Sequence, residues 1–249
     1  MTYHPGTFVW CELETRDLEG AQAFYRDVFG WTVAGAAAGE VVYERIAVAG
    51  QTIGGYRKLR TRGAPYWASF LSVPDLVDAI ASVKGAGGRH IDDVLETPGL
   101  GKSVEIVDAV GATVHLVCRR GGDDPLRAPP PGGILWNELV TPLPDRAVDF
   151  YKAAFGYSDK PVEMATGGTY HVLQVGAVGK AGVVYRDTSP RWMPYVHVTD
   201  CDQALARAVA AGGSVIASPI DIPQIGRAAV FADPQGAELT IMTPSAGTA

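Results

Sequence analysis

The pattern Trp-x-Glu-Leu occurs twice in this chain, at residues 10–13 and 136–139. In an extended segment, side chains two residues apart share a face, so each glutamate stands beside its tryptophan. A carboxylate placed this way can act as a general base or anchor a ligand's hydroxyl or amine. Glu12 and Glu138 are therefore candidate catalytic residues. The competing reading is a carboxylate bonded to backbone amides or to an arginine. That reading gains weight because both copies carry the residue, whereas a single-site enzyme needs one. Among the histidines, His197 ends a strand-like run, and His171 lies in an alternating run whose buried face the sequence leaves open.

The segments that must position these residues are themselves duplicated. PGTFVWCELETRDLEGAQAFYRDVFGW (5–31) recurs without a gap as PGGILWNELVTPLPDRAVDFYKAAFGY (131–157). WASFLSVPDLVDAIASVKGAGG (67–88) lies over WMPYVHVTDCDQALARAVAAGG (192–213), and DAVGATVHL (108–116) over DPQGAELTI (233–241). A half-chain repeat implies two copies of one domain. The intervening RRGGDDPLRAPPPGG (119–133) loses apolar periodicity and is rich in Gly and Pro, so it reads as a linker. The expected domains are 5–118 and 133–245, with 119–132 joining them.

Each half reads as βαβββ twice. FVWCELET (8–15) alternates as a strand does. An Asp-initiated helix follows, in which Leu18, Ala21, Phe24, Tyr25 and Val28 make one face and Gly30 ends it. Strand candidates at 31–35, 40–48 and 51–59 complete the first unit. The second has a strand at 66–73, a helix at 75–88 stopped by glycines, and strands at 89–96, 101–108 and 112–118. The second half opens with the strand 135–141 and a helix from Asp145 to Phe155. Its later unit is framed by the strand 195–199, a helix from Cys201 to Ala211 and the strand 238–242. Phe24-Tyr25 and Phe150-Tyr151 belong to helix faces that pack on the sheet.

Composition narrows the functional classes. The 249 residues are 47% hydrophobic and 19% charged, with a formal net charge of −6. That is an ordinary globular balance, and its sign disfavours a nucleic-acid partner, which needs a basic surface. No segment supplies the ~18 apolar residues of a membrane span, and the N-terminal residues do not read as a signal peptide. Three widely spaced cysteines, Cys11, Cys118 and Cys201, fit a reducing compartment better than a disulfide scaffold. A cytoplasmic monomer or homodimer is the expectation, and Cys11 and Cys118 are expected to be buried strand residues.

DLEGAQAFYRDVFGW (17–31) and its repeat, with LGKSVEIVDAVGA (100–112) and GRAAVFADPQGA (226–237), resemble the vicinal oxygen chelate superfamily of glyoxalases, bleomycin-resistance proteins and extradiol dioxygenases. The resemblance covers nearly the whole chain and is nearest to two-domain, hydroxylase-labelled or glyoxalase-like actinobacterial members. It implies an α+β fold of two tandem domains. In each, paired βαβββ units curl into a half-open barrel whose concave side takes a small molecule, and many members hold a divalent metal there. Carried onto this chain, the usual metal-ligand positions are Trp10, Ala68 and His115 in the first half, and Trp136, Met193 and Thr240 in the second. Only His115 ligates well, and three or four protein ligands normally hold such an ion. A slip of register would bring in Glu12, Glu138, His197 or Glu238 and still leave the set short.

With the ligand set short, no metal and no cofactor are expected. Trp10 and Trp136 become either an aromatic platform for a flat ligand or plain filling of the cup floor. Ala68, Met193, Thr240 and His197 join them as ligand-binding candidates. His115 becomes either an acid–base group suited to neutral pH or a hydrogen-bonded pocket histidine. The expected function is metal-independent recognition of a small, partly aromatic organic molecule, for sequestration or a tailoring step. The alternative is an enzyme acting on a small carbonyl, epoxide or polyketide-like substrate through Glu12, Glu138 or His115. A metal-dependent glyoxalase or dioxygenase comes third.

Overall fold

The computed structural model describes residues 1–38, 41–59, 63–91, 93–165 and 167–245. Glu40 and Asp92, which two of the strand readings include, lie outside them. The first half runs β1 (Phe8–Thr15), α1 (Leu18–Phe29), β2 (Thr32–Ala38), β3 (Val41–Val48), β4 (Gln51–Lys58), β5 (Tyr66–Ser72), α2 (Leu76–Gly85), β6 (Arg89–His90), β7 (Leu95–Thr97), β8 (Gly101–Val107) and β9 (Thr113–Arg119). The second runs β10 (Ile134–Thr141), α3 (Pro144–Phe155), β11 (Ser158–Glu163), β12 (Thr169–Val175), β13 (Val178–Tyr185), β14 (Arg191–His197), α4 (Cys201–Ala210), β15 (Ser214–Ile222), β16 (Gly226–Ala232) and β17 (Glu238–Pro244). The strands form two sheets, one from each half, and the βαβββ order appears four times, with the strand after α2 split into β6 and β7.

Local signals set the helices. Asp17 caps α1 by accepting from the Gly20 amide, and Gly30 ends it at φ 71°. That left-handed conformation carries little steric cost for glycine. α3 starts differently: Leu143 gives no side-chain cap, Pro144 sits in the first turn, and Gly156 closes it at φ 70°. Proline fits there because first-turn amides lack helical partners. Asp75 and Asp200 cap α2 and α4.

The strand expected at 89–96 is two pieces. β6 pairs with Val107 and Ile106 of β8, and β7 pairs with Ser103 to Gly101 of the same strand. The placement beside β8 holds, and the Ile91 amide still bonds the Glu105 carbonyl, but the exposed Asp93 and Val94 stand outside both ladders. Its counterpart β15 is continuous. Of the cysteines, Cys11 is buried and Cys118 is only half-buried.

The chain divides into two compact units, each drawing on both halves. One comprises Met1–Trp10, Ala68–Pro125 and Trp136–Met193, the other Cys11–Trp67, Leu126–Leu135 and Pro194–Ala249. In the second unit, strands run β2-β3-β4-β1 in one block, and β14-β17-β16-β15 in another. Its core joins Leu13, Phe24, Tyr25 and Ile46 to Ala204, Phe231 and Leu239. In the first unit the blocks are β5-β9-β8-β6, with β7 on β8, and β11-β12-β13-β10. Its core joins Leu71, Val83 and Leu116 to Leu139, Phe150, Tyr151 and Trp192.

Both cores are fastened by the same three-residue network. Tyr25 donates to Asp233 Oδ2 at 3.1 Å and accepts from Trp67 Nε1 at 3.0 Å. Tyr151 donates to Asp108 Oδ2 at 3.0 Å and accepts from Trp192 Nε1 at 2.8 Å. Each aspartate's other oxygen accepts two turn amides, Gln235 and Ala237 or Val110 and Ala112. The Phe-Tyr helix motif of one half thus meets the Asp-x-x-Gly turn of the other, and the buried polar atoms are satisfied.

Candidate functional site

β1 sends Cys11 and Leu13 into the core, so Trp10, Glu12 and Glu14 stand on its opposite face. Glu12 is fully buried, and a carboxylate so enclosed needs partners. Tyr43 of β3 donates to its Oε1, and Arg57 of β4 donates through Nε to Oε2 at 2.6 Å. The same Arg57 nitrogen lies 3.5 Å from Glu14. Glu12 pairs in register with Gly55. A Cβ at that glycine would overlap the Tyr43 hydroxyl, so its bare backbone admits the phenol to the carboxylate.

β10 repeats part of this arrangement. Leu139 enters the core, which leaves Trp136 and Glu138 on the other face. Trp136 Nε1 donates to the Tyr170 hydroxyl at 2.9 Å, and that hydroxyl bonds Glu138. Gly182, in register with Glu138, lies beneath the Tyr170 hydroxyl as Gly55 lies beneath that of Tyr43. Burial, then the neighbouring Glu138, pushes the Tyr170 pKa well above the usual tyrosine range. The phenol therefore stays protonated and can donate.

The two faces part company at two positions. Arg45 pairs with Gly55, and Val172 with Gly182, so Arg45 and Val172 are counterparts. Two residues beyond each glycine stand Arg57 and Val184. Val172 Cγ1 and the Trp136 six-membered ring lie at 3.0 and 3.3 Å from where Gly179 would carry a Cβ. The Trp136 face thus carries Val172 and Val184 where the Glu12 face carries two arginines, and the charge that reaches Tyr170 there is that of Arg186.

The remaining candidates are spread over several strands. Phe70 is in register with His115, and their rings stack at 4.4 Å and 17°. Ala68 shares that strand face two residues earlier and is buried. Met193 and Thr240 are buried, and among the described residues Thr240 Oγ1 has no hydrogen-bond partner. His197 Nδ1 bonds the Pro129 carbonyl at 2.9 Å, which ties the ring to the linker. His171 lies 2.9 Å from Asp159 through Nδ1. Trp10 is buried, with the Arg119 guanidinium 6.0 Å from its ring centroid, while Trp136 is half-exposed. A cavity of about 210 Å3 lies elsewhere, beside the α1 N-terminus and the Asp233 turn.

Tyr43, Arg45, Arg57 and Tyr170 were missed in the sequence. The usable signal was a second run of the repeat, Tyr43 with Tyr170 and Gly55 with Gly182, embedded in strands whose other residues have diverged.

A resident divalent metal does not fit these residues. Trp10, Ala68, His115, Trp136, Met193 and Thr240 offer one imidazole and no carboxylate. Among the described residues, no three His, Cys, Asp or Glu side chains gather as a metal site.

Two family models match, a glyoxalase-like domain over residues 138–242 and a bleomycin resistance protein-like N-terminal segment over 7–42. A Mycobacterium tuberculosis protein named "Putative glyoxylase CFP32" is 33% identical over 256 residues, covering 98% of this chain and 97% of its own. The anthracycline biosynthesis protein DnrV of Streptomyces peucetius is 28% identical, over 96% and 94% of the two chains. The Mn(II)-bound glyoxalase of Novosphingobium aromaticivorans shares the fold at a TM-score of 0.67, with 14% identity over 97% of this chain and 83% of that one. This chain belongs to the vicinal oxygen chelate superfamily of glyoxalases, bleomycin-resistance proteins and extradiol dioxygenases, as two tandem domains of that fold.

Proposed function

We propose that this protein recognises a small, flat, partly aromatic organic molecule without a resident metal, on the strand face around Trp136, Glu138 and Tyr170. The observation that carries this reading is that, of the six positions the resemblance assigns to metal ligands, only His115 is a ligating residue and the others are Trp, Ala, Met and Thr. Such a set provides aromatic surface in place of a chelating centre. A half-exposed indole offers a stacking plane, and pockets for small organic molecules are lined mainly by apolar and aromatic groups with a few placed polar ones. Glu138 and Tyr170 supply the polar pair. The similarity to DnrV supports a polycyclic aromatic ligand, since an anthracycline is a flat polycyclic molecule. The proposal includes sequence domains at 5–118 and 133–245 joined by 119–132, a cytoplasmic location and a monomeric or homodimeric state.

The test is calorimetry with an anthraquinone probe. Trp136→Ala should weaken binding by roughly 1–3 kcal/mol, the scale of a buried aromatic contact. Trp10→Ala should have the smaller effect, because Trp10 is already enclosed. Unchanged affinity in Trp136→Ala would sink the platform.

A second reading, an enzyme of aromatic polyketide tailoring, draws on the bond between Tyr170 and Glu138. A phenol held protonated beside a carboxylate is an acid next to a base. Glu138→Gln, Glu12→Gln and His115→Ala separate the readings. Turnover lost on the order of 10²-fold in one variant, with binding retained, identifies an enzyme. Affinity kept in Glu12→Gln and His115→Ala, with no turnover in the parent protein, identifies a binder.

A further inference from the structure

We infer that the Glu12 face holds a second binding determinant, the Arg45 guanidinium, which anchors an oxygen anion (a carboxylate, phenolate or enolate) on a small organic molecule. On β3, Ile46 is fully buried in the core and Glu44 bonds Gln22 of α1. Alternation therefore puts Arg45 on the opposite face, the one that carries Tyr43. Arg45 is half-buried. Its Nε is sealed from solvent, and among the described residues it has no hydrogen-bond partner. A buried guanidinium N–H left without an acceptor is costly, and the cost is larger for a charged group than for a neutral one.

The acids on this face do not relieve it. Glu12, in the same register row across Gly55, already accepts from Tyr43 and Arg57. Glu14 lies within ion-pair distance of Arg57. Arg57 is thus a fixed structural cation, and Arg45 beside it is a cation still lacking an acceptor at Nε. A planar fork of donors beside an aromatic hydroxyl suits a planar, oxygen-bearing anion. The counterpart position in the second half is Val172, so the anion preference belongs to the first half alone. The site lies on β3, in a different sheet from Trp136, and stands or falls independently of the platform there.

The experiment uses the full chain and a matched pair of probes, 2-naphthoate and 2-naphthamide, alike in shape and different in charge. Calorimetry is run on the parent protein, Arg45→Gln and Arg45→Lys, with thermal unfolding recorded for each. The parent should bind naphthoate at least about tenfold more tightly than naphthamide, the scale of one charge-assisted hydrogen bond. Arg45→Gln should erase that preference, and Arg45→Lys should restore part of it. Equal affinity for the two probes overturns the assignment, as does a preference that survives Arg45→Gln. Failure of both probes to bind also overturns it, and leaves the Trp136 platform to its own test with anthraquinone.

Discussion

The Glu12 and Glu138 faces are built on one plan and finished in opposite ways. In both, a glutamate two residues beyond a tryptophan meets a tyrosine hydroxyl that passes over a glycine backbone. Around Glu12 the neighbouring positions are Arg45 and Arg57, and around Glu138 they are Val172 and Val184. Two side chains thus separate an ion-paired face from one whose corresponding positions are apolar. The lesson is that the duplicated motif fixes a polar pair in space, and the flanking strands decide what the pair can do. A Trp-x-Glu motif by itself predicts neither catalysis nor structure.

Arg57 should carry the largest effect. Glu12 is fully enclosed, and truncating Arg57 strands its carboxylate. Arg57→Met should cost ~3–5 kcal/mol of stability, as does removing one partner of a buried pair. Val184→Ala, at the matching position, should cost nearer 1–2 kcal/mol, because only apolar contacts are lost. Denaturant midpoints at constant m-value decide it, and equal losses would dissolve the distinction between the faces. The pair Glu12→Gln with Arg57→Met should recover much of the deficit, since both partners are then removed together.

The glycines test what the faces share. Gly55→Ala and Gly182→Ala each put a methyl group where a tyrosine hydroxyl lies. Each should cost about 1–3 kcal/mol through overpacking, and the two losses should be similar. A large effect at one site and none at the other would show that the common plan is not common.

Removing the hydroxyls gives a smaller, asymmetric result. Tyr170→Phe deprives both Trp136 Nε1 and Glu138 of a bond, at roughly 1–2 kcal/mol. Tyr43→Phe leaves Glu12 still bonded to Arg57, so about 1 kcal/mol or less is expected. The reverse order would contradict the account of Arg57.

How much of this was legible in the sequence follows from what each residue type can signal. The repeat placed the helices, the Phe-Tyr pairs and the Asp-x-x-Gly turns, because those features need particular residues at particular spacings. The first strand of each half declared its faces through clean alternation. β3 did not: Tyr43, Glu44 and Arg45 are all polar-capable and occupy both parities, so alternation alone cannot say which of them leaves the core. The structure settles it through Gln22, which holds Glu44 on the helix side. The break between β6 and β7 was hidden for a related reason. Ile91 and Val94 are strand-type residues that stand exposed, so their types suggest a continuous strand where the ladder is interrupted. Trp10 and Trp136 looked equivalent, and only burial separates them.

The smallest effect at neutral pH concerns the tyrosines. Burial raises the pKa of Tyr25, Tyr151 and Tyr170 well above the ordinary value. A folded pKa above the unfolded one means that the stabilisation is complete below the unfolded value of about 10 and declines as pH rises past it. Stability should therefore be flat in this respect through neutrality and fall in alkali. Spectrophotometric titration should show these phenols ionising only on unfolding. Ionisation of all ten tyrosines near pH 10 in the folded protein would contradict it.

The proposed function is recognition of a flat ligand without a metal, on the face around Trp136. The most direct measurement is calorimetric binding of an anthraquinone probe to gently purified protein, before and after chelator treatment, with elemental analysis of the same sample. The predicted result is a metal content far below one ion per chain and an affinity unchanged by the chelator. About one Fe, Zn, Mn or Ni per chain, with binding or turnover lost on chelation and restored by that metal, would contradict it.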